Sequence, residues 1–251
     1  RLYRPEADGP RPLVVFFHGG AWREGDKDMY RFVGEAFAVE GFAVAIPNYR
    51  LLPEGRFPVF LEDGAAAVAT LRRDGAALGV DPARLFLMGH SAGAYIAAML
   101  ALDERYLERR GLGPAALRGA VGVAGPYDFL PFSSDRLREI FAAATPPEQS
   151  MPINFVDGTE PPLLLIHSLS DTTVYPKNAQ NLAARIRDRG GRVELVEYEK
   201  VNHAVLIGAM GWPLRGIAPT LADSTAFLRR VLDPAAAAPA DQPAVRSAVS
   251  P

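Results

Sequence analysis

Arg84-Leu85-Phe86-Leu87-Met88-Gly89-His90-Ser91-Ala92-Gly93-Ala94-Tyr95-Ile96-Ala97-Ala98-Met99-Leu100 is the stretch that decides the fold. Its first residues form a short apolar run without polar alternation, the pattern of a strand buried on both faces. Its last residues are rich in alanine, leucine and methionine, which favour helix. Between them, residues 89–93 spell G-x-S-x-G. A serine on a sharp strand-to-helix turn needs small neighbours, because the turn brings backbone against backbone, and Gly89 and Gly93 supply that room. The Ser91 hydroxyl then projects at a helix N-terminus, where the Ala92 backbone N–H and the helix dipole face a developing oxyanion.

Outward from this turn the same unit recurs: a short apolar run, a joint rich in Gly, Pro, Asn or Asp, then a helix-length amphipathic stretch. Strands are expected at 12–18, 42–47, 84–89, 118–124, 162–167 and 192–198, and helices at 29–40, 59–78, 92–102, 176–188 and 221–232. Alternation of this kind with continuous apolar strands implies an α/β fold, a mostly parallel central sheet flanked by helices. Ligands of such sheets sit at the carboxyl ends of the strands. Residues 128–161, with Pro131, Pro146, Pro147, Pro152 and Pro161, break the alternation and carry a short helix near 137–144. They read either as a short insertion over the active face or as a long surface loop. One catalytic domain is expected over 1–232. Residues 233–251 have almost no large apolar side chains to offset their ordering entropy and read as a disordered tail.

The 251 residues, 49% hydrophobic and 22% charged, suit one globular core. Twenty-seven basic against 29 acidic residues leave a formal charge of −2, with no basic excess to neutralise a phosphate backbone, so nucleic acid is not an expected partner. The chain has no cysteine, which excludes disulfides and thiolate chemistry. No apolar run reaches the roughly 18 residues of a spanning helix. Because the sequence starts at Arg1 rather than Met, a removed signal or anchor is allowed for, and with it either a secreted or periplasmic location or a cytoplasmic one.

A second joint, His18-Gly19-Gly20-Ala21-Trp22, ends the first expected strand. Consecutive glycines let backbone N–H groups turn into a site instead of pairing in the sheet. Those of Gly20 and Ala21, with that of Ala92, make the expected oxyanion hole. On these two motifs the chain resembles α/β-hydrolase serine carboxylesterases of the feruloyl-esterase-like and hormone-sensitive-lipase-like groups, and also arylformamidases, which carry a similar HGGxW loop. The resemblance covers residues 13–232. It implies the α/β-hydrolase fold and a triad in the order Ser, Asp, His, with acid and base in loops after the last strands. The matching segments are His167-Ser168-Leu169-Ser170-Asp171-Thr172-Thr173-Val174 and Val201-Asn202-His203-Ala204, which assign Asp171 and His203 to those roles. The chain departs from the family at Ser168, usually glycine, and at Ala21, the third glycine of the HGGG loop. The edge strands that precede the HGG strand in the family are barely represented in the residues before Pro12.

His18, His90 and His167 read as local hydrogen-bonding or packing residues, Asp128 as a reserve acid, and Glu197 as a solvent-facing strand residue. Asp81-Pro82 reads as a turn or helix start, and Arg72-Arg73 and Arg229-Arg230 as solvated helix faces. Trp22, Tyr95, Val174 and Val205, with Tyr49 and Phe57, adjoin the site loops as an expected substrate pocket. Neither a metal-ligand spacing nor a dinucleotide or Walker fingerprint occurs, so no metal and no cofactor are expected. The expected activity is hydrolysis of a small-molecule carboxylic ester, with a short-to-medium acyl or aromatic acid, through an acyl-enzyme. Arylformamide hydrolysis is the alternative reaction, and a hydrolase-fold binder without turnover the alternative class. Oligomeric state is not legible.

Overall fold

The computed structural model describes residues 1–6, 8–234 and 244–246. Its eight-stranded sheet has the order β1-β3-β2-β4-β5-β6-β7-β8. The strands are β1 (Leu2–Tyr3), β2 (Arg11–Phe17), β3 (Ala43–Ala45), β4 (Val80–His90), β5 (Gly119–Val123), β6 (Leu163–Ser168), β7 (Val193–Tyr198) and β8 (Ala244–Arg246). Among the described residues only the β1–β3 pairing is antiparallel. The helices are α1 (Arg31–Val39), α2 (Val59–Asp74), α3 (Ala92–Leu102), α4 (Arg105–Glu108), α5 (Asp135–Ile140), α6 (Lys177–Asp188), α7 (His203–Gly208) and α8 (Thr220–Leu232). Each expected strand and helix has its counterpart, with ends displaced by a few residues.

The side-chain period of two divides the core into two layers. Along β2, Leu13, Val15 and Phe17 join the layer built with α2, α3 and α6. Val14 and Phe16 join the opposite layer, with Val33 and Phe37 of α1 and Phe227 and Leu228 of α8. Every residue of α3 is buried, because it is covered by the sheet on one side and by α2 and the 128–161 segment on the other. No helix among the described residues is long and apolar enough to cross a membrane.

Several local expectations change. Residues 128–161 carry α5 over Asp135–Ile140, displaced from the expected 137–144 because Ser134 caps it, its Oγ accepting from the Leu137 N–H at 3.3 Å. Two 3-10 turns follow, Pro147–Ser150 and Pro152–Phe155. Asp81-Pro82 lies inside β4, at an irregularity where Pro12 faces Asp81 but Leu13 faces Leu85. The turn chemistry is present there all the same, the Asp81 carboxylate accepting from the Ala83 N–H at 2.9 Å. Glu197 does not face solvent: it is 7% exposed and accepts from Gln180 Nε2 at 2.8 Å, since α6 covers that side of β7. Of the expected tail, Ala244–Arg246 pair with β7 as a strand, and 235–243 and 247–251 lie outside the described residues.

Two glycines explain why the central turn can be so tight. A Cβ on Gly93 would collide with the Phe17 carbonyl and approach the His18 carbonyl to 2.5 Å, and one on Gly89 would collide with the Gly93 backbone. None of these neighbours is a side chain that can swing away. Gly93→Ala is therefore expected to destabilise the fold by about 3 kcal/mol or more, a thermal shift of roughly 6 to 12 °C for a chain of this size. Scanning calorimetry checks this, and a shift below about 2 °C would contradict the packing argument.

Candidate active site

Ser91 stands between β4 and α3 with φ 53° and ψ −120°, a left-handed backbone that a residue with a Cβ adopts only under constraint. The constraint comes from both sides: its N–H donates to the Val123 carbonyl at 2.9 Å, and its carbonyl accepts from the Tyr95 N–H at 3.1 Å inside α3. The half-buried Oγ has no hydrogen-bond partner among the described residues.

The loop after β2 is also wound left-handed, at Gly20 (φ 125°), Ala21 (φ 51°) and Trp22 (φ 58°). The Gly20 carbonyl accepts from the N–H groups of Arg23 and Glu24 at 3.0 and 3.1 Å, which closes the turn. The N–H groups of Gly20, Ala21 and Ala92 have no acceptor among the described residues. Unused backbone donors beside a helix N-terminus make a locally positive surface. The loop is pressed onto the elbow, since a Cβ on Gly19 would stand 3.2 Å from the His90 carbonyl.

Asp171 follows β6 and His203 opens α7. His203 Nδ1 donates to Asp171 Oδ2 at 2.7 Å, while Asp171 Oδ1 accepts from the Thr173 and Val174 N–H groups at 2.9 and 3.0 Å. Burial pushes the Asp171 carboxyl up, but the His203 hydrogen bond and the two N–H groups outweigh it and hold its pKa below the usual carboxylate value. With Nδ1 donating to a carboxylate, His203 presents a bare Nε2. Asn202 caps α7, its side chain accepting from the Val205 N–H at 2.8 Å, which sets the His203 backbone. The His203 ring lies 4.8 Å, centroid to centroid, from the ring of His90, the residue before Ser91. Ser91, Asp171 and His203 thus share one end of the sheet, with the Asp–His pair closed and no Ser91–His203 hydrogen bond.

The remaining histidines are buried and serve these loops. His18 Nδ1 donates to the Gly19 carbonyl at 2.8 Å with its ring stacked 4.3 Å from Tyr49. His167 Nε2 donates to the Val174 carbonyl at 2.8 Å, behind Asp171. His90 Nε2 donates to the His203 carbonyl at 3.2 Å. Burial pulls all three pKa values down, that of His90 to about 3, so the rings stay neutral. The sign for folding follows directly. Below the unfolded histidine pKa of about 6.5 the unfolded chain takes up protons that the folded chain refuses. Stability is accordingly full above pH 6.5 and is expected to fall steadily toward pH 3. Asp171, with its depressed pKa, adds stability that is lost only as the pH drops through that lower value. Urea midpoints measured from pH 7 to pH 4 check this, and a flat midpoint would contradict it.

Of the expected pocket residues, Trp22 and Tyr95 are closed into an aromatic cluster, 4% and 0% exposed, with Phe60, Phe129 and Phe141. They back the site from within the core instead of facing open space, because 128–161 folds its aromatic side chains down onto them. Tyr95 spends its hydroxyl on the Ser150 carbonyl of that segment at 2.8 Å. Tyr49 and Phe57 are likewise buried, and Val174 and Val205 are half-buried. Asp128 accepts from Asn181 Nδ2 at 2.7 Å, an interaction that ties it to α6. Tyr30 had no signal in the sequence: it lies just before α1, yet its hydroxyl reaches His90 Nδ1 at 3.2 Å.

A mostly parallel sheet with a serine on the strand-to-helix turn, and an aspartate and a histidine on later loops, defines an α/β-hydrolase fold. The chain belongs to the BD-FAE family, whose model matches residues 1–186. It is 27% identical to a probable isoprenylcysteine alpha-carbonyl methylesterase of Arabidopsis thaliana over 86% of this chain and 50% of that protein. It is 24% identical to a kynurenine formamidase of Danio rerio over 82% of this chain and 70% of that protein. Among solved structures, a truncated carbohydrate esterase from gut microbiota superposes with a TM-score of 0.80 at 21% identity, covering 92% of this chain and 89% of that one. The chain spans about half the length of the methylesterases it matches.

Proposed function

We propose that this chain is a serine hydrolase of small-molecule carboxylic esters, with Ser91 as nucleophile, His203 as general base and acid, and Asp171 as the group that orients and charge-stabilises His203. The observation that carries this reading is the hydrogen bond of 2.7 Å from the half-buried His203 to the buried Asp171, beside a strained serine elbow. Its methylesterase relatives support the same reaction type.

In this reading Ser91 Oγ gives its proton to the bare Nε2 of His203 as it attacks the acyl carbonyl. The tetrahedral oxygen takes the unused N–H groups of Gly20, Ala21 and Ala92, which lie in backbone already wound for that purpose and need no reorganisation. His203, now cationic and paired with Asp171, returns the proton to the departing alcohol, leaving an acyl-enzyme. Water then enters by the same route in reverse. No metal or cofactor has a part in these steps.

The acyl group is a short-to-medium chain or an aromatic acid, because the aromatic cluster at Trp22 and Tyr95 is already filled by Phe129 and Phe141 and leaves the half-buried Val174 and Val205 to form the pocket wall. Turnover of p-nitrophenyl acetate, butyrate, octanoate and decanoate by purified protein tests this. An optimum at or below octanoate supports the reading, and rising activity to decanoate overturns the acyl preference. The similarity to a kynurenine formamidase makes N-formylkynurenine the comparison substrate. A kcat/KM on it above that on every ester would transfer the assignment to amide hydrolysis.

A further inference from the structure

The strand ends bring three loops together at the candidate site, and one chain of polar groups crosses all of them. Tyr30 precedes α1, His90 precedes Ser91, and His203 opens α7. His90 Nε2 stands 3.2 Å from the His203 carbonyl, which can only accept, so Nε2 carries the proton. In a neutral ring Nδ1 must then be the acceptor, and its partner is the Tyr30 hydroxyl at 3.2 Å. Burial keeps the imidazole neutral, which fixes this direction of donation over the working pH range. Tyr30 in turn touches the HGG loop. A Cβ on Gly19 would stand 2.8 Å from the Tyr30 hydroxyl and 2.9 Å from His90 Nδ1, and the Gly19 N–H works against the upward push that burial gives the phenol pKa.

The His203 ring is held from one side by Asp171 through Nδ1, but a ring on the first residue of a six-residue helix also needs its backbone placed. The Asn202 cap fixes the start of that helix, the His90 bond holds the His203 carbonyl beside the elbow, and the 4.8 Å ring contact limits rotation of the imidazole. We propose that Tyr30 and His90 are positioning residues that tie the Gly19–Ala21 loop, the serine elbow and the backbone of the histidine into one rigid unit, setting His203 Nε2 against Ser91 Oγ and the unused N–H groups. The inference rests on the serine-hydrolase reading of the same site. Neither residue carries a reacting atom and both act through His203 and the loops, so the effect should fall on kcat and leave KM in place.

The test measures kcat and KM on p-nitrophenyl butyrate, and the ring nitrogens by 15N NMR of histidine-labelled protein. The proteins are wild type, Tyr30→Phe, His90→Gln, His90→Leu and the Tyr30→Phe/His90→Leu double variant. Tyr30→Phe is expected to lower kcat about tenfold and His90→Leu about thirtyfold, with KM within twofold, as losing one or two aligned hydrogen bonds implies. Because both act through one chain, the double variant should be no slower than His90→Leu. His90→Gln, whose amide can donate to the His203 carbonyl and accept from Tyr30, should stay within about threefold of wild type. Wild-type kcat in Tyr30→Phe and in folded His90→Leu, or losses that multiply in the double variant, would overturn the proposal.

The NMR arm needs no turnover and covers a His90→Leu protein that fails to fold. His90 must show protonated Nε2 and bare Nδ1 in wild type, with Nδ1 shifted in Tyr30→Phe. The opposite tautomer overturns the relay whatever the kinetics. Failure of the hydrolase reading looks different: wild type would then show no turnover above Ser91→Ala while the His90 tautomer stood as described.

Discussion

Ser91→Ala is expected to lower kcat on p-nitrophenyl butyrate by about a million-fold, to the level left by binding and oxyanion stabilisation alone. The size follows from the loss of the covalent route. Without Oγ, His203 has no proton to take, and attack must come from a water that the elbow does not position. The substitution removes one oxygen from a half-buried side chain without a hydrogen-bond partner, so folding stability should change by less than about 0.5 kcal/mol. Stopped-flow or endpoint kinetics alongside a urea titration measure both quantities. A correctly folded Ser91→Ala protein with more than about 1% of wild-type turnover would remove Ser91 from the mechanism. A fluorophosphonate probe reports the same site independently, because it labels only an activated serine.

Asp171→Asn is expected to cost about ten-thousand-fold in kcat, and the local hydrogen bonds determine how. Asp171 Oδ1 accepts from the Thr173 and Val174 N–H groups. In an asparagine the amide oxygen must keep that place, since the NH2 group cannot accept from two donors. The NH2 group is then left where Oδ2 stood, facing His203 Nδ1. A donor there forces Nδ1 to become the acceptor and moves the ring proton to Nε2, the atom that must receive the Ser91 proton. The variant loses the charge that stabilises the imidazolium and also holds the wrong tautomer. Histidine 15N spectra should show His203 Nε2 protonated in Asp171→Asn and bare in wild type. Retention of more than about a tenth of wild-type kcat, or an unchanged tautomer, would remove Asp171 from its proposed role.

These expectations depend on contacts that no stretch of sequence shows, although the residues themselves were legible in it. The elbow is local: a strand pattern, two glycines around a serine and a helix pattern need only nearest neighbours to be read. The parallel sheet is nearly as local, because strands buried on both faces have no polar alternation and betray themselves one by one. Asp171 and His203 came from the resemblance, and their side chains meet only because β6 and β7 are neighbours in register. Glu197 went the other way. As a charged residue in a strand it read as solvent-facing, while the cover that α6 gives β7 is a property of packing between distant segments.

The order of apolar runs and helix-length stretches determined the α/β class, and short motifs the elbow at Ser91 and the glycine loop at Gly20 and Ala21, because each run and each motif is encoded within about a dozen residues. Tertiary structure alone decided that Trp22 and Tyr95 are closed in by Phe129 and Phe141, and that Tyr30 reaches His90 across 60 positions of chain. It alone set the His90 side chain on the His203 carbonyl, 113 positions away. The physical reason is that hydrogen bonds and ring contacts between loops depend on where the strands end in space. Those end points are set by sheet register and helix packing, which sum over the whole domain and leave no mark at any single position.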